Sequence, residues 1–356
     1  MAKHKIKRQP PPKLQESVLY LDVVRYALYP LVFIILAYGL DRGMAVLLDH
    51  AFARTVVGQA EGAKLNQAVR SHADAYILGD SRAEHHNDPA VLSAATGLRF
   101  FNAGCEGREL MYLRLQADLI EMEQTPQLYL LDLSFHNFDA RRSYRSDQQR
   151  YVAFPFVSRS AVAAEFFNGI STPDRYVRVL ASSCRYRSAF WPIVRGLFGA
   201  LPESPDGFNV TQGTLREGSS RHLVEGKIDF YALDQLLKFI QQSRQKQIQI
   251  VFCLGPSWRG DTEYELWEQE RMYLLLLRQL AKLQHVPLIE ATELYYPQFR
   301  SPHVFTDTDH LNAYGAHIYS QIVADHLRAI LRINSIPALE ASPYYPQIDP
   351  KDYIRN

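Results

Sequence analysis

AYILGDSRAEHH, residues 75–86, decides the fold: an unbroken apolar run stops on Gly79-Asp80-Ser81-Arg82. Continuous rather than alternating apolar character marks a strand buried on both faces, as in a parallel sheet. A small turn then presents a serine at the strand's carboxyl end, which is where open α/β sheets place their ligands.

Working outward, four more runs of strand length follow: LRFFNAG (98–104), QLYLLDLS (127–134), IQIVFCLG (248–255) and VPLIEAT (286–292). Helical patterns lie between them, GRELMYLRLQADLIEMEQ (107–124), FYALDQLLKFIQQSRQKQ (230–247) and YELWEQERMYLLLLRQLAKLQ (264–284). Strand alternating with helix predicts an α/β, flavodoxin-like doubly wound parallel sheet of five strands. The alternation fails over residues 139–227, which are rich in aromatics and arginines; we expect short helices there, packed as a cap over the sheet's edge. An insertion with its own small core is one reading of this stretch, and a sugar- or lipid-binding surface is the other.

Three further polar blocks close apolar runs. In FNAGCEGREL (101–110), Asn102 is followed by Gly104 and Gly107 just before a helix, so backbone amides there could face a ligand. LSFHNF (133–138) offers His136 and Asn137. FTDTDHLNAYGAHIYS (305–320) sets Asp307 three residues before His310, with a helix beginning near Asn312. His85, His86, His303 and His317 fit no metal-site spacing and are expected to be solvated or locally hydrogen-bonded. No cofactor or metal is expected.

Gly-Asp-Ser, Asn-x-x-x-x-Gly, a polar turn after the third strand, and Asp-x-x-His with Leu-Asn-x-x-Gly resemble the four blocks of the SGNH (GDSL-type) hydrolase superfamily, over roughly residues 73–335. The resemblance implies Ser81 as nucleophile, His310 as its base and Asp307 as the acid that orients the ring, with Asp309 the alternative partner. It also implies an oxyanion hole from the Ser81 and Gly107 amides. Its third donor departs from the family's Gly-x-Asn-Asp: Ser134-Phe135-His136-Asn137 stands there, with Asn137 favoured over His136. Ser81 could instead be a helix N-cap. Arg82, Arg108 and Trp258 are carried as substrate contacts, with surface or ion-pair roles as the alternative for the two arginines.

Before this domain, residues 1–16 form a basic tail with Lys3, Lys5, Lys7, Arg8 and Lys13 and no acidic residue before Lys13. Val23–Leu40 is apolar except for Arg25 and is long enough to cross a bilayer. We expect an anchor over 17–42, a connector over 43–72, and, by the positive-inside rule, a cytoplasmic N-terminus with the domain outside. A signal peptide cleaved after Ala51-Phe52-Ala53 and a buried helix are the alternatives. Residues 336–356 are expected to form an extended arm. The charge balance, 39 Lys and Arg against 38 Asp and Glu in 356 residues, gives no field for nucleic acid. The three cysteines suggest no metal site and leave at least one thiol unpaired.

An SGNH domain behind a single anchor is similar to the DltD-like and alginate or peptidoglycan O-acetylation branch. That resemblance implies an acyltransferase that takes an acyl group (acetyl or D-alanyl) from a membrane-bound O-acyltransferase or similar donor and passes it through an acyl-serine to a glycan. An anchored esterase or deacetylase, or a noncatalytic accessory protein, are the alternatives.

Overall fold

The structure is a computed structural model that describes residues 12–56, 62–108, 110–140, 150–170, 173–186, 189–200, 202, 204–216, 218–219, 227–260 and 268–331, with backbone alone over 12–23. The tail before Pro12 and the arm 336–356 lie outside the described residues.

The five apolar runs form the strands β1 (Ala75–Gly79), β2 (Phe100–Asn102), β3 (Leu128–Asp132), β4 (Gln249–Leu254) and β5 (Leu288–Glu290). They make one parallel sheet in the order β2-β1-β3-β4-β5, the flavodoxin-like arrangement. Because neighbouring side chains on a strand point to opposite faces, an unbroken apolar run feeds two cores at once. Tyr76, Leu78, Phe101, Tyr129, Leu131 and Phe252 enter one core with the helix Phe230–Gln245. Ala75, Ile77, Leu128, Leu130, Val251 and Ile289 enter the other with the helix Ala313–Ile330.

The N-terminal helix α1 runs without a break from Pro12 to Ala53. Within it, Val24–Ala53 is long and apolar enough to cross a membrane or serve as a signal sequence. The expected connector is therefore helical in its first part, and α2 (Ala63–Ser71) follows before β1. Beyond Leu40, α1 is fastened to the domain. Asp41 accepts hydrogen bonds from the Ser182 and Ser183 amides, and Phe52 is buried against Phe156 and Tyr186.

The insertion corrects the expected cap in part. Val152, Phe156, Phe166, Tyr186 and Ile193 of the insertion share a core with Met111, Tyr112, Leu115 and Leu119 of α5 (Leu110–Glu123). Among the described residues, 204–216 crosses the carboxyl edge of the sheet. There the Asp206 carbonyl accepts the Asn102 amide, the Asn209 amide donates to the Glu84 carbonyl, and the Leu215 amide donates to the Phe305 carbonyl.

Candidate active site

Gly79 ends β1 with φ +157°, and a Cβ there would sit 2.6 Å from the Ala83 Cβ and 2.7 Å from the Asp132 carbonyl oxygen. The strand can thus turn directly into the short helix α3 (Ser81–His86). Asp80, not Ser81, is its N-cap: the Asp80 carboxylate accepts the Arg82 amide at 2.9 Å, the Ser134 hydroxyl at 2.9 Å and the Asn137 side-chain amide at 3.1 Å. The N-cap reading of Ser81 is thereby corrected, because a neighbour already fills the role. The Ser81 hydroxyl lies 2.7 Å from His310 Nε2.

The loop that carries His310 is closed by an antiparallel bridge between Phe305 and Leu311 and by a hydrogen bond from the Thr306 amide to the His310 carbonyl. Asn312 caps the helix after it, accepting the Gly315 amide, and donates to the His303 and Gly213 carbonyls. Asp307 brackets His310 Nδ1 with its two oxygens at 3.0 and 2.8 Å and accepts the Asp309 and His310 backbone amides. Asp309, the alternative partner, lies instead 3.5 Å from His136 Nε2. Burial alone would lower the His310 pKa. The Asp307 hydrogen bond and charge, with the charge of Asp309, outweigh it, so the imidazole holds its proton more firmly than usual. Burial pushes the Asp307 carboxyl the other way from its partners, whose hydrogen bonds prevail and keep it below the ordinary range.

The remaining expected contacts separate. Three amides of the Asn102 loop are used within the protein: Asn102 donates to the Ala83 and Asn87 carbonyls and accepts the Gly104 amide, while the Cys105 and Glu106 amides go to the Gly79 carbonyl and the Glu84 carboxylate. Gly107 stands exposed at the tip with φ +68°. Asn137 is buried, its side-chain amide donating to Asp80 and its oxygen accepting the Ser134 amide. His136 is only partly covered.

Arg82 and Trp258 are also corrected as substrate contacts. The Arg82 guanidinium is buried, donating to Ser257 Oγ and the Pro256 carbonyl next to Asp132 and Asp80. Trp258 is core, packed on Phe305, with its indole N–H on the Ser219 carbonyl and its backbone amide on the Thr308 carbonyl. It therefore braces the loop that carries Asp307 and His310. The Arg108 guanidinium lies over the Tyr112 ring. His86, expected to be solvated or locally bonded, is fully buried: burial holds it neutral, and its Nε2 accepts the Leu311 amide beside His310. His85 bonds the Asn209 carbonyl and meets the His310 ring edge-on. Among the described residues no group of three or more His, Cys, Asp or Glu could hold a metal ion.

No family model matches the chain, and no curated protein matches it. Among solved structures it is similar to a protein of Bacteroides fragilis NCTC 9343 described as an acylhydrolase (TM-score 0.36, 10% identity, 72% of this chain and 88% of that one). It is also similar to an acetyl xylan esterase (TM-score 0.36, 14% identity, 72% and 99%) and to a gut microbial diltiazem-metabolizing enzyme (TM-score 0.37, 11% identity, 70% and 46%). Likeness of this extent specifies neither substrate nor reaction.

Sequence reasoning did not anticipate the buried group under the nucleophile. Asp132 ends β3, accepts hydrogen bonds from Asn87 and Tyr319, and has its carboxyl pKa pushed up to about 6 by burial, against the opposing pull of Arg82. Cys253 meets the same Tyr319 hydroxyl at 2.9 Å. The only advance signal was the polar residue closing an apolar run, which is equally common in loops.

Proposed function

We propose that the protein is a membrane-anchored, SGNH-type serine acyltransferase acting outside the cytoplasmic membrane, with Ser81, His310 and Asp307 as its catalytic residues. The observation that carries this is the unbroken chain from Ser81 Oγ to His310 Nε2 at 2.7 Å and from His310 Nδ1 to Asp307 at 2.8 Å.

A serine hydroxyl becomes a competent nucleophile only as a base removes its proton. Here Ser81 Oγ attacks the acyl carbonyl while its proton passes to His310 Nε2. Asp307 holds Nδ1–H and stabilises the imidazolium. Charge on the carbonyl oxygen is met by the Ser81 and Gly107 amides, with Asn137 or the His136 ring as the third donor. His310 returns the proton to the leaving group, and an acyl-serine remains. A glycan hydroxyl then gives its proton to His310 and attacks the acyl carbon, and His310 passes that proton to Ser81 Oγ as the acyl–serine bond breaks. The apolar length of α1 supports a tethered enzyme, as do systems in which a membrane-bound O-acyltransferase supplies the acyl group.

The test is intact-protein mass spectrometry of the full chain after exposure to a serine-directed fluorophosphonate and, separately, to an activated acetyl ester with and without a glycan acceptor. One adduct on Ser81, lost in His310→Ala, is expected, and the acetyl adduct should discharge faster with the glycan than in buffer. Rapid discharge into water alone would favour an anchored esterase. No adduct at all, under conditions that label a control esterase, would sink the catalytic reading.

A further inference from the structure

The stretch RYVRVLASSCRYRSAFWPIVRGLFGA, residues 175–200, holds five arginines and no acidic residue. It forms a helix at Phe190–Leu197 that packs on α1 and, with Asp174, another at Asp174–Leu180 whose last carbonyls accept hydrogen bonds from Arg42 of α1. In the second helix Ile193 is buried while Trp191 is 71% exposed, and Phe198 just beyond is 88% exposed. In the first, Leu180 is 71% and Tyr176 69% exposed. Large exposed apolar groups concentrated in one short stretch are rare on a soluble surface and usually mark a contact.

The way this stretch meets α1 says what covers it. Val24–Ala53 is about 45 Å long at about 1.5 Å per residue, well beyond a hydrocarbon core of about 30 Å. The adjacent charges Asp41 and Arg42 within it would ordinarily mark the water boundary. Here they are answered by protein: Asp41 accepts the Ser182 and Ser183 amides and the Ser183 hydroxyl, and Arg42 donates to the Val179 and Leu180 carbonyls. Beyond them α1 goes on presenting Met44, Val46 and Leu47 to the outside. Charges matched in this way can sit at lipid depth, where unmatched ones are costly.

We infer that residues 174–198 are a lipid-binding surface: the helix Asp174–Leu180 lies in the outer leaflet against α1, and Phe190 and Trp191 lie at the headgroup level. Aromatic residues favour that level, and after Asp174 the five arginines of residues 175–200, with no acidic residue among them, suit anionic headgroups. This rests on the reading of α1 as a membrane span. It moves the bilayer boundary along α1 from Leu40 to near Leu47 and lays the insertion on the membrane.

The test uses the full chain reconstituted in phosphatidylcholine and phosphatidylglycerol vesicles with brominated acyl chains, which quench nearby tryptophan. In a Trp191→Phe background, Leu180→Trp and Phe33→Trp are compared, and native Trp191 is read as the difference from Trp191→Phe, so that one probe needs no change at Leu180. The expected result is about twofold or greater quenching of all three probes. Quenching of Phe33→Trp with none at Leu180→Trp or Trp191 overturns the inference and leaves the anchor standing, so the patch would then meet a protein partner or a second copy. Absence of quenching at Phe33→Trp as well overturns the anchor and the inference together.

Discussion

Asp80 caps α3 with its own carboxylate, and this frees the Ser81 hydroxyl for the hydrogen bond to His310. Because Asp307 and Asp309 outweigh burial and raise the His310 pKa, the base is protonated to a higher pH than a free imidazole. The acid limb of the pH profile of kcat/KM should therefore fall above about 6.5. Asp307→Asn should move that limb down and lower kcat by about 10²- to 10⁴-fold, read by steady-state kinetics on an activated ester. A limb left in place would show that Asp307 does not tune the base. Asp132 gives the second residue-scale prediction. Its folded pKa, about 6, exceeds the ordinary 3.8, so the native state binds the extra proton between these values. Stability from this carboxyl is present at low pH and is lost as pH rises through about 6, to a total of about 3 kcal/mol. His85, His86 and His317, held below their ordinary pKa by burial, act oppositely, so the check is a difference. In denaturation of Asp132→Asn and of the parent between pH 5 and 8, the stability of the parent relative to the variant should fall as the pH rises.

At the scale of elements, two joints set the site: the turn out of β1 and the cap of the helix Ala313–Ile330. A Cβ on Gly79 would press on Ala83 and on the Asp132 carbonyl, so Gly79→Ala should cost about 2 kcal/mol or more and loosen Ser81 from His310. Asn312→Ala removes the cap and two bonds to loop carbonyls and should cost about 2–3 kcal/mol, with a fall in kcat, since the same loop carries His310. Thermal unfolding read beside activity would separate the two effects. The same joints explain what could be read in advance. Strands buried on both faces write themselves as unbroken apolar runs, and Ser81, Asp307 and His310 each fall in a short polar block at the end of one or beside a helix start. The partners of Arg82 could not be read, because Pro256 and Ser257 lie far along the chain and only the sheet order brings them near. Trp258 misled for the same reason: an aromatic after a strand looks the same whether it faces a ligand or, as here, Phe305. The placement of residues 150–200 on α5 was hidden because its apolar residues would suit any neighbour.

For the whole molecule, the end of α1 belongs to the core of the insertion as much as to the apolar helix. Phe52 fills a site against Phe156 and Tyr186, and Asp49 bonds the Tyr186 hydroxyl and faces Arg185. A soluble fragment begun at residue 55 should therefore melt well below one begun at residue 41, and differential scanning fluorimetry of the two would show it; equal midpoints would make the attachment energetically idle. The unbroken course of α1 into that core makes it a shaft rather than a leash. One residue added between Leu36 and Ala37 would turn everything above it by about 100° and raise it by about 1.5 Å, and four would restore nearly the original bearing. If the enzyme must face a donor fixed in the same bilayer, activity should rise and fall with the number of inserted residues on the period of the helix, as a key works only at certain angles in its lock.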